Sequence, residues 1–194
     1  TSTEFGGRIN NSSAVRRVGV VKIGSGTLTL TNANNAYTGN TTVSNGVLAL
    51  KDSGNITASP KIIVASGATF DVSGRSAAWT PASTQTLGGS GVVTGAVTAT
   101  TGTIAPGSSI GTLTFANSIA FDGASAATNL FEIASAGSND VIQVNGDLTY
   151  NPGSTVVIRV VPTGAVIPDG TYQLIKWTGS LSGDTSNLAL EYPA

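Results

Sequence analysis

A glycine-led strand motif recurs along this chain about once every twenty residues, and that repeat limits the folds open to it. Gly26-Thr27-Leu28-Thr29-Leu30 returns as Gly46-Val47-Leu48-Ala49-Leu50, and then as Gly67-Ala68-Thr69-Phe70-Asp71-Val72. It returns again as Gly111-Thr112-Leu113-Thr114-Phe115, and more loosely as Gly146-Asp147-Leu148-Thr149-Tyr150. The first two intervals are 20 and 21 residues, and the later ones are longer. A period of this kind marks stacked supersecondary units, none of which can bury its apolar face alone. It is short for a pair of helices and fits one turn of a β-solenoid.

The alternation within each motif predicts geometry. Residues i and i+2 of a strand share a face, so Leu28 and Leu30 point inward while Thr27 and Thr29 point outward. One coil later Leu48 and Leu50 lie above them, and the same phase makes Val43, Val64, Phe70 and Val72 inward. The glycine ahead of each strand permits the positive φ that a coil corner often needs. An antiparallel sandwich with frequent glycine turns would show the same alternation. The recurring Gly-x-Leu-x-Leu spacing and the low charge favour the solenoid. The expected fold is all-β, a right-handed parallel β-helix with a less regular C-terminal β region.

Hydrophobic residues make up 40% of the 194, enough for a continuous core, while charged residues are only 10%. Ordinary soluble domains carry about a quarter. Thr, Ser, Asn and 25 Gly take the place of the missing charge, so the surface is expected to be neutral and polar. Exposed Thr suits a pleated strand and can form hydroxyl ladders between neighbours. No long stretch shows a 3.6-residue apolar period. Net charge is −1, and apart from Arg16-Arg17 the basic residues are scattered. Nucleic-acid binding needs a basic stripe, so it is not expected. No apolar run reaches the length of a membrane span, so membrane insertion by this segment is not expected either. The chain begins Thr-Ser-Thr-Glu with no basic-then-apolar leader, which implies a secretion signal already removed or lying elsewhere. Cys, His and Met are absent, which excludes disulfides and thiolate metal sites.

No Gly/Ser linker divides the chain, so residues 1–194 read as one solenoid unit. Residues 1–23 read as an entry segment able to donate a strand to a neighbouring subunit, with strand-like runs at 5–9 and 18–23. Residues 24–75 are the regular coils. Residues 76–150 are less regular, and 76–87 in particular break the rhythm and read as a longer excursion. Residues 151–194 read as wider C-terminal coils or a sandwich-like cap. Neither end has a charged cap, which leads to the expectation that the chain continues or that another copy covers the exposed strand edge.

The stretch from Val21 to Leu50 carries a more specific signal. Lys22, Gly24, Gly26, Thr27, Leu28 and Leu30 are followed by Asn35, Tyr37, Gly39, Thr41 and Val43, then by Gly46, Leu48 and Leu50. In that order and spacing they closely resemble the autotransporter-associated β-strand repeat of large bacterial surface proteins. Beyond residue 75 the resemblance is looser, resting on 102–113, 140–146 and 170–175. It implies a right-handed parallel β-helix exported to the cell surface, and it implies no enzyme activity. The translocator barrel that usually accompanies such passengers has no counterpart in this stretch, so a fragment or a differently exported relative is expected.

Because some β-helices cleave polysaccharides, the carboxylates need weighing. Glycoside hydrolysis requires two of them across a cleft. Asp52, Asp71, Asp122, Asp140, Asp147, Asp169 and Asp184 are separated in sequence, and Asp140 and Asp147 sit in ordinary turn contexts. With no His, no nucleophile elbow and no phosphate loop, catalysis is not expected. Calcium-binding nonapeptides and EF-hand loops are absent too. The Asn run at 32, 34, 35, 40 and 45 could contact sugars, but turn and ladder roles fit it better. Tyr37 is expected to pack on the coil beneath with its hydroxyl at the edge. Trp79 and Trp177 are expected in core or capping roles, and Arg16-Arg17 as a solvated pair. No catalytic, cofactor or metal residue is assigned.

These readings converge on a secreted or cell-surface structural protein, a β-helical stalk or a head-to-tail fibre subunit. Its expected partners are copies of itself or adjoining segments of a longer chain. An adhesin that reads glycan or host protein through 76–87 is the alternative, and a carbohydrate-active enzyme a more distant one.

Overall fold

The computed structural model of the chain describes all residues except 14, 124, 125, 136, 165, 166, 168, 193 and 194. The described residues contain strands, turns and bends and no helix. Two long parallel sheets run the length of the molecule. Sheet I stacks Thr3–Phe5, Thr27–Leu30, Val47–Asp52, Thr69–Arg75, Val92–Thr94, Thr112–Phe115, Val141–Val144 and Ile175–Trp177. Sheet II stacks Val20–Lys22, Thr41–Val43, Lys61–Val64, Thr86–Gly89, Thr103–Pro106, Ala127–Ser135, Val156–Pro162 and Leu188–Glu191. Up to Val92–Thr94 consecutive strands of the chain alternate between the two sheets, and every turn of chain adds one strand to both. That is a β-solenoid, and it separates this molecule from a sandwich, whose hairpin-connected strands would run antiparallel.

Register confirms the apolar columns read from the alternation. Leu28 lies opposite Leu48, and the column continues through Phe70, Val93, Phe115 and Val144 to Trp177. Its members are 20, 22, 23, 22, 29 and then 33 residues apart. Leu30, Val43, Leu48, Leu50, Val64, Phe70 and Val72 are all buried as expected. Leu28 is only half-buried, because the strand below it, Thr3–Phe5, is the first of its sheet and offers Thr3 in register.

The later coils widen because a third side becomes a sheet. Val97–Ala99, Ile119–Phe121, Leu148–Tyr150 and Leu181–Gly183 stack as sheet III. Below Val97 that side is reduced to single bridges, Asn10 to Ala36 and Trp79 to Val97. The coil at 127–144 also contains a hairpin, in which Ala127–Ser135 pairs antiparallel with Ser138–Asn139. Aromatic pairs fill the broader interior. Phe70 meets Trp79 edge-on at 5.2 Å, and Phe121 stacks on Tyr150 at 5.2 Å.

One sequence expectation changes here. Residues 76–87 are not an excursion: Trp79 is buried and bridges the third side, Gln85 is buried, and Thr86 starts a sheet II strand. The rhythm survives because Trp79 and Pro81 fill inward positions that a strand would otherwise supply. The entry segment pairs with its own chain, Thr3–Phe5 on Leu28–Leu30 and Val20–Lys22 on Thr41–Val43, forming the first coil. The C-terminal part forms wider coils in register with the earlier ones, not a sandwich-like cap. The last two residues of the closing run 188–194 lie outside the described residues.

Candidate functional site

The outer face of sheet II has a notch where its side chains are smallest. Ile63, Gly88 and Ala105 are in register, and Gly88 presents no side chain. A methyl there would collide with the carbonyl oxygen of Ala105, so the two strands pack at this point because the residue is glycine. Pro106 ends its strand, and Gly107, at φ 78°, starts the loop back to sheet I. Gly107 and Gly89 exchange backbone hydrogen bonds of 2.8 and 3.2 Å, which hold the loop against the coil below. The resulting hollow is about 140 Å³, with Lys61 on one side and Leu130, Glu132 and Asp140 on the other.

Asp140 is the unusual group. It is 1% exposed, and both carboxylate oxygens accept backbone N–H groups, Oδ1 from Gly111 and Oδ2 from Glu132, each at 2.8 Å. Its own N–H donates to the Glu132 carbonyl at 2.9 Å. Next to it, Asn139 Nδ2 donates to the carbonyls of Asp140 and Gln173 at 2.7 and 3.0 Å. Residues 139–140 therefore tie together three successive turns of the chain. Burial pushes the Asp140 carboxyl up to about 6, the two N–H bonds oppose the rise, and the nearby Glu132 charge adds to it.

The sequence reading of Asp140 as an ordinary turn aspartate is thus corrected. The missed signal was parity: Asp140, Ile142 and Val144 are two apart, and the latter two are buried core residues. The other aspartates with described side-chain bonds lie at the surface, Asp71 and Asp184 in local turns and Asp147 tied to the next coil. Asp71, Asp147 and Asp184 accept the N–H groups of Ser73, Ser180 and Ser186. Among the described residues no three His, Cys, Asp or Glu side chains gather as metal ligands.

Three of the five asparagines in the run, Asn32, Asn35 and Asn45, are tied to backbone, while Asn34 and Asn40 are exposed. Asn32 Oδ1 accepts from Asn34 N–H, Asn45 Oδ1 from Gly46 N–H, and Asn35 Oδ1 from Ile9 N–H. Asn35 Nδ2 donates to the carbonyls of Asn32 and Asn55, making it a ladder between coils. Tyr37 lies deeper than an edge position, fully buried, with its hydroxyl 2.7 Å from Thr41 Oγ1. That contact continues to Ser59 Oγ and on to the Gly39 carbonyl, a buried polar ladder at one corner. Arg16 and Arg17 are exposed.

The two end coils differ in how they finish the interior. In the first, Lys22 occupies an inward position in register with Val43 and is 7% exposed. Its stem covers the column, and Nζ donates to the carbonyls of Ile23, Gly24 and Asn45 at 2.9, 2.7 and 3.0 Å. In the last, Trp177, Leu181 and Leu188 are in register with the core residues Val144, Leu148 and Val156, and Leu190 with the half-buried Ile158. They are nevertheless exposed, at 41, 46, 39 and 75%.

No curated protein matches the chain. The model of the passenger-associated-transport-repeat family matches residues 20–50. That segment contains two strands of each main sheet, with the Lys22 cap and the Asn35 and Tyr37 corner between them. Residues 20–50 thus match the passenger-associated-transport-repeat, and they form successive coils of a parallel β-solenoid.

Proposed function

We propose that this chain is a non-enzymatic structural spacer of an exported bacterial surface protein, a β-helical stalk whose last coil stacks on a second copy. The observation that carries the proposal is the row Trp177, Leu181, Leu188 and Leu190, which is in register with the core yet open to solvent. The first coil of a second copy laid on it would cover that row and pair the free edges of sheets I and II. Charge favours a head-to-tail arrangement. Residues 1–26 carry four basic side chains and one acidic, and residues 163–192 carry three acidic and one basic. Such a contact is heterologous, so it propagates into a filament. The exposed large aromatics, Phe5, Trp177 and Tyr192, lie in the first and last coils. Among the described residues the exposed rings that a sugar-reading surface would use thus lie at the ends and not along the sides.

Electron microscopy and sedimentation velocity across protein concentration test this reading. Wild-type rods lengthen in whole-subunit steps, and the combined substitution Leu188→Lys and Leu190→Lys keeps them at one subunit. Rods that stay at one subunit at every concentration would remove self-stacking. Tight glycan binding along the sides would remove the spacer reading altogether.

A further inference from the structure

The last coil is open above and the first is open below, and the columns of the core run between them without losing phase. On sheet II one column passes from Val20 through Thr41, Ile62 and Leu87, and on by way of Ile158 to Leu190. On sheet I another passes from Thr3 through Leu28 and Val144 to Trp177. Building on the self-stacking read above, we propose that a second copy seats in the one register that continues both columns. Its Val20 then stands over Leu190 and its Thr3 over Trp177, and its Arg16-Arg17 pair meets Asp184.

Phase and closure fix that register. A slip of one residue lays every inward side chain on an outward one and leaves the open row uncovered. A slip of two keeps the phase but cannot be shared by both sheets. They run in different directions round the turn, so a rigid shift that slides one along its edge carries the other backward or off its edge. With the columns continued, Lys22 lies over Tyr192, which is 55% exposed in the free chain. Phe5 comes to rest over Gly179, beside the Trp177 ring, and both rings are open to solvent until then. Counting back from Val20 places Arg16 and Arg17 over Ser186 and Asn187, two residues from Asp184. All three charged groups are exposed, and Asp184 is held in place by the Ser186 N–H on its Oδ1 at 2.8 Å. Opposite charges facing each other across the joint favour this orientation and oppose a head-to-head one.

The chain has no cysteine, so introduced ones report the register without background. Val21 and Glu191 are exposed and lie on the first and last strands of sheet II, seven strand spacings apart. That is roughly 34 Å within one molecule, so a disulfide between these positions forms only between copies. A Val21→Cys protein mixed with a Glu191→Cys protein under mild oxidant should give mixed dimers, resolved by tags of different length. They should form roughly tenfold faster than with Ala189→Cys, the partner that a two-residue slip would favour. Independently, Arg16→Glu with Arg17→Glu should raise the concentration at which rods lengthen roughly tenfold, and adding Asp184→Arg should recover part of the loss. Should a cysteine variant fail to fold, the charge reversal and its rescue carry the test. Faster coupling to Ala189→Cys, or rods that lengthen with no preference between the two and no effect of charge reversal, overturns the register and leaves self-stacking standing. Rods that never lengthen and never couple remove both.

Discussion

Asn129 occupies a position that hydrocarbon fills in the coils on either side. It is in register with Ile104 below and Ile158 above, it is fully buried, and neither Oδ1 nor Nδ2 has a hydrogen-bond partner. A buried amide left in this state costs on the order of 1–3 kcal/mol. Asn129→Val should therefore raise stability by about that amount, read as a higher urea midpoint with an unchanged slope. Parity alone places it inward, because Asn129, Phe131 and Ile133 are two apart and all buried, but sequence reading did not apply the alternation to a polar residue. Asp140 was missed for the same reason. Asn35 and Tyr37 were legible as structural residues, since the repeat supplied their context, though the depth of Tyr37 was not. What decides a polar residue's role in this chain is its parity relative to the core, and parity is read only when the strand boundaries are right.

At the scale of the element, the glycines ahead of the strands do different jobs: Gly46 and Gly67 take the expected positive φ, whereas Gly26, Gly111 and Gly146 do not and are held to glycine by close neighbours. Gly46 has φ 66°, and a side chain on it would collide with the carbonyl oxygens of Gly24 and Gly26 in the coil below. Gly67 has φ 78° with nothing within 4 Å of a built side chain. Gly67→Ala should then cost only the left-handed backbone penalty, about 1–2 kcal/mol, while Gly46→Ala adds a steric clash and should cost clearly more. Paired thermal melts of the two variants check the ordering, and equal losses would place the whole penalty in the backbone angle. The long strands of sheet I were legible because they repeat Gly-x-Leu-x-Leu, and the loosest copy, at 146–150, proves to stack in sheet III. Sheet III itself was not legible. Val97–Ala99 and Ile119–Phe121 are three residues each, too short for alternation to stand out, and their pairing depends on Trp79 supplying the bridge beneath.

Across the whole molecule, stability in a solenoid is a sum over neighbouring coils, so it is lowest where a coil has a neighbour on one side only. The row Ile175–Trp177 and Leu188–Glu191 is such a coil, with its apolar side chains exposed. The opposite end is finished by the stem and carbonyl contacts of Lys22. Hydrogen exchange should therefore show the amides of 175–177 opening far more readily than those of 47–50, with 20–22 in between. Protection of the last coil that rises with protein concentration would tie this asymmetry to self-stacking. The sequence alone determined the class of fold, the inward residues of the regular coils and the passenger-repeat segment, because each follows from a short pattern repeated at a constant interval. Tertiary structure alone decided the third sheet, the folding of 76–87 into a coil, the buried carboxylate at 140 and the unequal ends. Those depend on which residues lie one coil away, 20 to 33 positions along the chain, and no local pattern encodes that distance.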